Sequence, residues 1–507
     1  MKRSYFSFMK QLMAFIVCLV SLLPVTTIQA ATEDTLTSAT AEIPFFLDPT
    51  QKMAGDYWRA VGASEALTKV TPEGEIELEL AEAIDQVDEH TWQIKLRPNV
   101  TFWSGKVLDS KALIASMERF RSDAPDGESL LDGVHFDVVD EMTVKVTTDK
   151  TNYNVPINMT EVFVMNAEMA HDSVETTDMT GMYRITEYIP REKTTLVRYD
   201  GYWGQKPTIS NILWLEMPEA QTRKLAAING DADIVMNLEP TQVDDLKKSE
   251  QVEVYNVAPS GTLSVYVNLQ KEPWNDLNLR QALNWSLDRQ SLSQFATEGL
   301  AEPSTTWLGS NPQFKDEQSA IYHQDLNKAQ SLIESAGWKR NNQGIYEKDG
   351  QRLTFTLYTF GSDRLLGEAI QNQWLQLGVD VALHHVDYSL IEQARQTGEW
   401  DGLIETWNNF GDPYPIAYSH FGEQGSANYG HYQSEVVNKA LAELNETSDA
   451  KRQHELLSTI NLQVAEDSNL ISLMPRPTLY AVNKRLKGYM PHFLGYEYCI
   501  RPEMTLE

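Results

Sequence analysis

Cysteine is almost absent from this chain: there are two in 507 residues, Cys18 and Cys499. Cys18 falls in an N-terminal segment expected to be removed, so the mature chain keeps one thiol. One thiol forms no internal disulfide and no thiolate metal cluster. Positive charge is also scarce, with 42 Lys and Arg against 72 Asp and Glu and a net charge of −30. That balance excludes a general nucleic-acid binder, which needs a basic footprint, and argues against adhesion to anionic lipid heads. Beyond the N-terminus no apolar run is long enough to span a bilayer, and there is no internal repeat or low-complexity linker. The chain has no Gly-x-Ser-x-Gly elbow, no phosphate loop of the Gly-x-x-x-x-Gly-Lys type and no His-Glu-x-x-His. The expectation is a protein that is not an enzyme; carboxylate chemistry in a secreted hydrolase is the remote alternative.

What is present begins with an export signal. Lys2, Arg3 and Lys10 precede an apolar stretch from about Leu12 to Val25, and a run ending in Ala30 follows. A basic segment, a short apolar core and a small residue before the cut describe a secretory signal peptide over 1–30, with Ala31 as the alternative cut. Its loss removes three cations and no acids, which takes the net charge from −30 to −33. No Gly or Ala stands before Cys18, as a lipoprotein cleavage box would require, so the expected product is a freely soluble periplasmic protein. The remaining length exceeds one core and predicts two or three domains. Twelve Trp and 21 Tyr supply rings for a core and for the lining of a ligand cleft.

Strand and helix patterns alternate along the chain. Thr91 to Leu96 alternates as a half-buried strand, and Asp109 opens a helix through Phe120. Met142 to Val146 is a second strand. Thr222 to Asn229 is a helix stopped by Gly230, ahead of a strand at Ala232 to Met236. Leu353 to Tyr358, a helix from Arg364 to Leu377, and Val379 to His384 complete a β-α-β order. This order predicts an α/β fold of two lobes with a largely parallel sheet.

Ordered blocks then carry a resemblance. Trp92-Gln93-Ile94-Lys95-Leu96-Arg97-Pro98-Asn99 through Gly105 resembles the signature of the family 5 extracellular solute-binding proteins, the peptide and nickel receptors of ATP-driven importers. Thr180 to Arg184, Tyr202 to Pro207, Pro218 to Arg223, Gly230 to Ile234, Leu279 to Asn284 and Asp325 to Trp338 are similar to further blocks in the same order. Most of these residues read as architecture: Gly105 is expected at positive φ, and Tyr202 and Trp203 are expected to be buried around a turn at Gly204. The resemblance implies a class II two-lobed periplasmic-binding-protein fold. Lobe one would hold 31–259 and 477–507, with a subdomain at about 75–180, and lobe two would hold 260–476. The chain would cross between lobes at Ala258 to Gly261 and at Pro475-Arg476-Pro477. A monomer, a small-molecule ligand and a membrane permease of the ABC type follow as expected partners.

For the ligand, the resemblance points two ways. Peptide receptors of the family place an Asp three residues after a cleft Trp; here Trp407 is followed at that spacing by Phe410. The spacing from Trp407 to Asp412-Pro413 is instead similar to the nickel branch, as are Tyr346 to Gln351 and Ala394-Arg395-Gln396. Nickel, or another transition metal, bound as a chelate is therefore the expected ligand, with a di- or oligopeptide as the alternative. The nickel receptors grip a carboxylate chelate with arginines, and Glu161 stands where one of these is matched, which favours a neutral or cationic complex. Among the histidines, His384 and His385 are adjacent in a strand and face opposite ways, and His420 is a further candidate. His431, on a loop beyond Trp407, is the candidate direct metal ligand. Tyr57 and Trp58 from lobe one, with Arg364, Trp407, Phe410 and Tyr414 from lobe two, complete the expected ligand-binding residues.

Overall fold

The structure is a computed structural model, and it describes residues 34–507 apart from 52, 73, 126, 260, 312, 315–320, 407–412, 445 and 495–498. Two mixed sheets organise it. The first has seven strands in the order Tyr183–Ile189, Lys193–Arg198, Asn211–Glu216, Thr35–Thr40, Ile234–Val235, Thr478–Asn483 and Val252–Val257. The second has five, in the order Asp380–His385, Thr354–Thr359, Gly402–Glu405, Thr262–Val267 and Leu470–Pro475. Each sheet has its own apolar core. Trp58, Tyr183, Ile212, Trp214 and Tyr480 belong to the first, and Trp274, Phe355, Leu357, Ile370 and Trp374 to the second.

Neither sheet is largely parallel, which corrects the expectation. Thr35–Thr40 is parallel to both of its neighbours, and Thr354–Thr359 is parallel to Asp380–His385 and Gly402–Glu405. The other pairings in both sheets are antiparallel. The helix Arg364–Leu377 provides the crossover that parallel Thr354–Thr359 and Asp380–His385 require. At its end Gly378 takes φ 103°, and a Cβ there would sit 2.8 Å from the Gly344 carbonyl oxygen, so only glycine fits.

A third sheet, of four antiparallel strands, lies within residues 81–148. Thr91–Leu96 turns Trp92, Ile94 and Leu96 inward, as its alternation predicts. The helix Ser110–Asp123 packs Leu113, Met117 and Phe120 on the same core. Its start is set by Asp109, whose carboxylate accepts from the Ala112 N–H at 2.8 Å. Gly105 has φ 86°, as expected, whereas Tyr202 and Trp203 are only half-buried. Both donate to the Glu65 carboxylate, the Tyr202 hydroxyl at 2.8 Å and the Trp203 indole at 3.2 Å. The rings pack against the cores as partly buried residues, and their polar tips reach an acceptor that is itself buried.

The chain leaves the first sheet at Val257, enters the second at Thr262, and returns from Pro475 to Thr478. Val257 pairs with Thr478 and Thr262 with Pro475, so the two crossings run side by side. Among the described residues no helix is long and apolar enough to cross a membrane.

Candidate ligand cleft

The register of the two sheets locates the cleft. In the first sheet Ile234–Val235 runs antiparallel to Thr478–Asn483, and therefore toward the crossing, and Thr35–Thr40 and Asn211–Glu216 run with it. Thr40 pairs with Glu216, so both strands end at that edge. In the second sheet Ser264 pairs with Glu405, and Thr359 with His385, which brings the carboxyl ends of three strands to the crossing edge. Ligands of open α/β sheets bind beyond the carboxyl ends of strands, so the candidate cleft is the space between these two edges.

The lobe-one edge is acidic and aromatic. Glu42 is exposed and accepts from the Tyr57 hydroxyl at 2.7 Å. Glu216 accepts from the Ile43 N–H at 3.2 Å, and the Asn237 side-chain oxygen accepts from the Ala41 N–H at 3.2 Å. Among the described residues no Lys or Arg pairs with Glu42 or Glu216. The guanidinium of Arg223, a buried residue, donates to the carbonyls of Met217 (2.5 Å), Pro218 (2.8 Å) and Asn237 (2.5 Å), tying together two loops of this edge. Phe45 and Phe46 follow on the first loop and stay 48% and 41% exposed, with the Arg191 guanidinium 5.1 Å from the Phe45 ring.

The lobe-two edge is built on ion pairs. Arg395 donates to Glu405, and their side chains are 4% and 6% exposed. Burial drives the Glu405 carboxyl up to about 7, against the lowering effect of Arg395. The Arg395 guanidinium also lies 4.5 Å from the Tyr429 ring. Arg476, from the return crossing, donates to Asp363 at 2.6 Å, directly before the helix Arg364–Leu377. Burial raises the Asp363 carboxyl, and Arg476 and His385 oppose that shift.

The residues singled out in the sequence take different places. Tyr57 is half-buried against Trp214, with ring centroids 6.1 Å apart. Trp58 is fully buried in the lobe-one core, where its indole donates to the Phe46 carbonyl at 3.1 Å. It supports the aromatic loop from beneath. Glu161 is half-buried and accepts from the Thr160 hydroxyl at 3.3 Å. Arg364 is exposed and pairs with Glu368 at 2.9 Å on its own helix. Tyr414 is half-buried near Tyr418. His431 is exposed at φ 55°. Trp407, Phe410 and Asp412 lie outside the described residues.

Of the other histidines, His384 stacks on Tyr358, and His385 Nδ1 lies 3.0 Å from the Thr359 hydroxyl. His420 is buried, and desolvation holds it down to about 4. Among the described residues no group of three or more His, Cys, Asp or Glu could hold a metal ion. Glu42, Glu216, Asn237 and the Arg476–Asp363 pair escaped sequence reasoning. A long charged side chain between Pro475 and Pro477 at an expected crossing was the one local signal available for Arg476.

A separate cavity of about 350 Å³ lies in lobe one and shares none of these edge residues; Glu65, Glu79, Tyr202 and His492 line part of it.

Comparison with known proteins agrees with this architecture. The profile of the bacterial extracellular solute-binding proteins, family 5 (middle region), matches residues 75–428. The nickel-binding periplasmic protein of Escherichia coli K12 is 26% identical over 458 residues, which cover 84% of this chain and 86% of that one. The oligopeptide-binding protein AppA of Bacillus subtilis 168 is 24% identical over 460 residues, covering 84% and 83%. Among solved structures, NikA from Brucella suis in complex with Fe(III)-EDTA superposes with a TM-score of 0.84 at 20% identity, covering 93% of this chain and all of that one. With a profile match over more than half its length and this two-lobed α/β fold, the chain belongs to the family 5 bacterial extracellular solute-binding proteins.

Proposed function

We propose that this protein is a periplasmic receptor that captures nickel, or another transition metal, as a small chelate between its lobes and delivers it to an ABC-type permease. The observation that carries the reading is the pair of polar strand-end edges joined by two side-by-side crossings, in a chain 26% identical to a nickel-binding periplasmic protein. In this reading 1–30 is a cleaved export signal, 31–259 with 477–507 forms lobe one, 75–180 is its subdomain, 260–476 forms lobe two, and the receptor works as a monomer. Strand membership supports the division: the seven-stranded sheet draws on residues 35–257 and 478–483, and the five-stranded sheet on 262–475. Ligand contacts come from Tyr57, Glu161, Arg364, Trp407, Phe410 and Tyr414, with Trp58 acting from below. His431 gives one direct bond to the metal, and the chelator fills the other positions. Closure around the ligand is driven by its higher affinity for the closed state.

A peptide ligand is the second reading, favoured by the comparable match to an oligopeptide-binding protein. Native mass spectrometry of mature protein purified gently from the periplasm separates the two. A single added mass with a metal isotope pattern supports the chelate, and a ladder of peptide masses supports the alternative. Turnover of a candidate substrate, in place of stoichiometric binding, would defeat both.

A further inference from the structure

The return crossing carries the argument. Arg476 stands between the last strand of one sheet and the strand Thr478–Asn483 of the other, where both edges of the cleft meet. Its partner Asp363 occupies the N-cap position of the helix Arg364–Leu377 but makes no capping bond; the carboxylate goes to Arg476 instead. The Asp363 side chain is 4% exposed while that of Arg476 keeps 39% of its surface open. A buried acid therefore anchors a guanidinium that is still open at the crossing. Guanidinium has five N–H donors in a planar fork. One Nη2 donor is spent on Asp363, and Nε is shielded without a partner among the described residues. An anchored fork with unspent donors matches a carboxylate better than any neutral group.

The opposite charge lies on the same edge of lobe one. Thr35–Thr40 and Thr478–Asn483 are separated by the strand Ile234–Val235 alone. Glu42 follows the end of the first, and Arg476 precedes the start of the other. Two strand spacings put these chain ends roughly 10 Å apart. Glu42 and Glu216 oppose a ligand that is purely anionic.

The geometry points to Arg476 as the specificity-determining residue that receives a ligand carboxylate at the hinge, with the ligand's cationic centre, an ammonium group or a bound metal ion, toward Glu42. This rests on the receptor reading and narrows it to small carboxylates that also carry positive charge. An amino-acid chelate of a metal and a short peptide share that chemistry, and the test separates them.

Two matched pairs of probes are titrated calorimetrically into ligand-free mature protein: Ni(II) with L-histidine against Ni(II) with histamine, and dialanine against dialanine amide. The carboxylate-bearing member of one pair is expected to bind more tightly, and which pair responds identifies the source. Arg476→Gln is expected to weaken that binding by about tenfold or more and to erase the preference, with Arg476→Lys restoring part of it. Equal binding of both members, or unchanged affinity in folded Arg476→Gln, overturns the proposal. If no probe binds, native mass spectrometry of the unstripped protein decides. A bound solute lacking a carboxylate overturns this proposal and leaves the receptor standing. A bound carboxylate solute lost from Arg476→Gln supports it, and one retained there overturns it. Absence of any bound solute overturns the receptor reading as well. Should Arg476→Gln fail to fold, Arg476→Lys and Asp363→Asn decide together: a preference for the carboxylate member, or for the co-purified carboxylate solute, that is weakened in either supports the proposal, and one undiminished in both overturns it.

Discussion

Arg395 and Glu405 form an ion pair that is almost sealed from water, joining the helix Tyr388–Thr397 to the last residue of the strand Gly402–Glu405. Trp407 is two residues further on. The pair holds together the part of lobe two from which the expected ligand loop departs.

Arg395→Leu would leave Glu405 buried without its guanidinium. A broken buried pair costs about 3–5 kcal/mol, because the remaining charge is uncompensated. A clear fall in the melting temperature is expected, measured by differential scanning calorimetry in mild alkali at about pH 9, where the carboxyl is driven toward ionisation. The fall should shrink in acid at about pH 5, where Glu405 takes up a proton with or without Arg395, since burial lifts its carboxyl to about 7 even with Arg395 present. An equal loss at both pH values would show that packing of the Arg395 stem is what matters.

Glu65 predicts a second pH dependence. Burial first, and then Glu79, raise its carboxyl from 4.5 to about 8, against hydrogen bonds from Thr180, Tyr202 and Trp203. The folded protein therefore holds a proton that the unfolded chain releases. By linkage this residue's contribution is greatest below the unfolded value and is lost as pH rises toward the folded one. The melting temperature of Glu65→Gln should decline less than that of wild type between about pH 5 and pH 8. Parallel curves for the two proteins would reject this account.

Arg223 ties the loops of the lobe-one edge through three carbonyls. Arg223→Leu should destabilise by about 1–3 kcal/mol through the acceptors it leaves unpaired. It should also weaken ligand binding, because Asn237 and Glu216 lose their fixed positions. Urea unfolding and ligand titration read the two effects separately, and unchanged affinity would remove the clamp from the site's support.

His431→Ala tests the metal reading. If His431 gives one direct bond, the affinity for a nickel chelate should fall several-fold while thermal stability without ligand stays unchanged, since the side chain is exposed. Equal affinity would take His431 out of the site.

Local signals made the elements legible. The alternation at Thr91–Leu96, the Asp109 cap and the Gly230 stop each act within a few residues, so sequence spacing reads them directly. The helix Arg364–Leu377 has the bounds expected for it. Composition likewise decides the acidic character, and ordered blocks carried the family resemblance that the profile match then bore out.

Pairing between distant residues was decided only by the tertiary structure. Whether neighbouring strands run parallel depends on where the chain crosses between sheets, so a β-α-β order could not exclude the antiparallel pairings, four of six in the first sheet and two of four in the second. Tyr57 and Trp58 are adjacent in sequence, yet helix geometry leaves one half-buried and buries the other fully. Glu42 meets Tyr57 across 15 positions, Glu216 meets Ile43 across 173, and Arg476 meets Asp363 across 113. Local patterns determine what each segment becomes; contacts over such separations exist only once the sheets close, because hydrogen bonding and burial act through space and carry no mark in the intervening sequence.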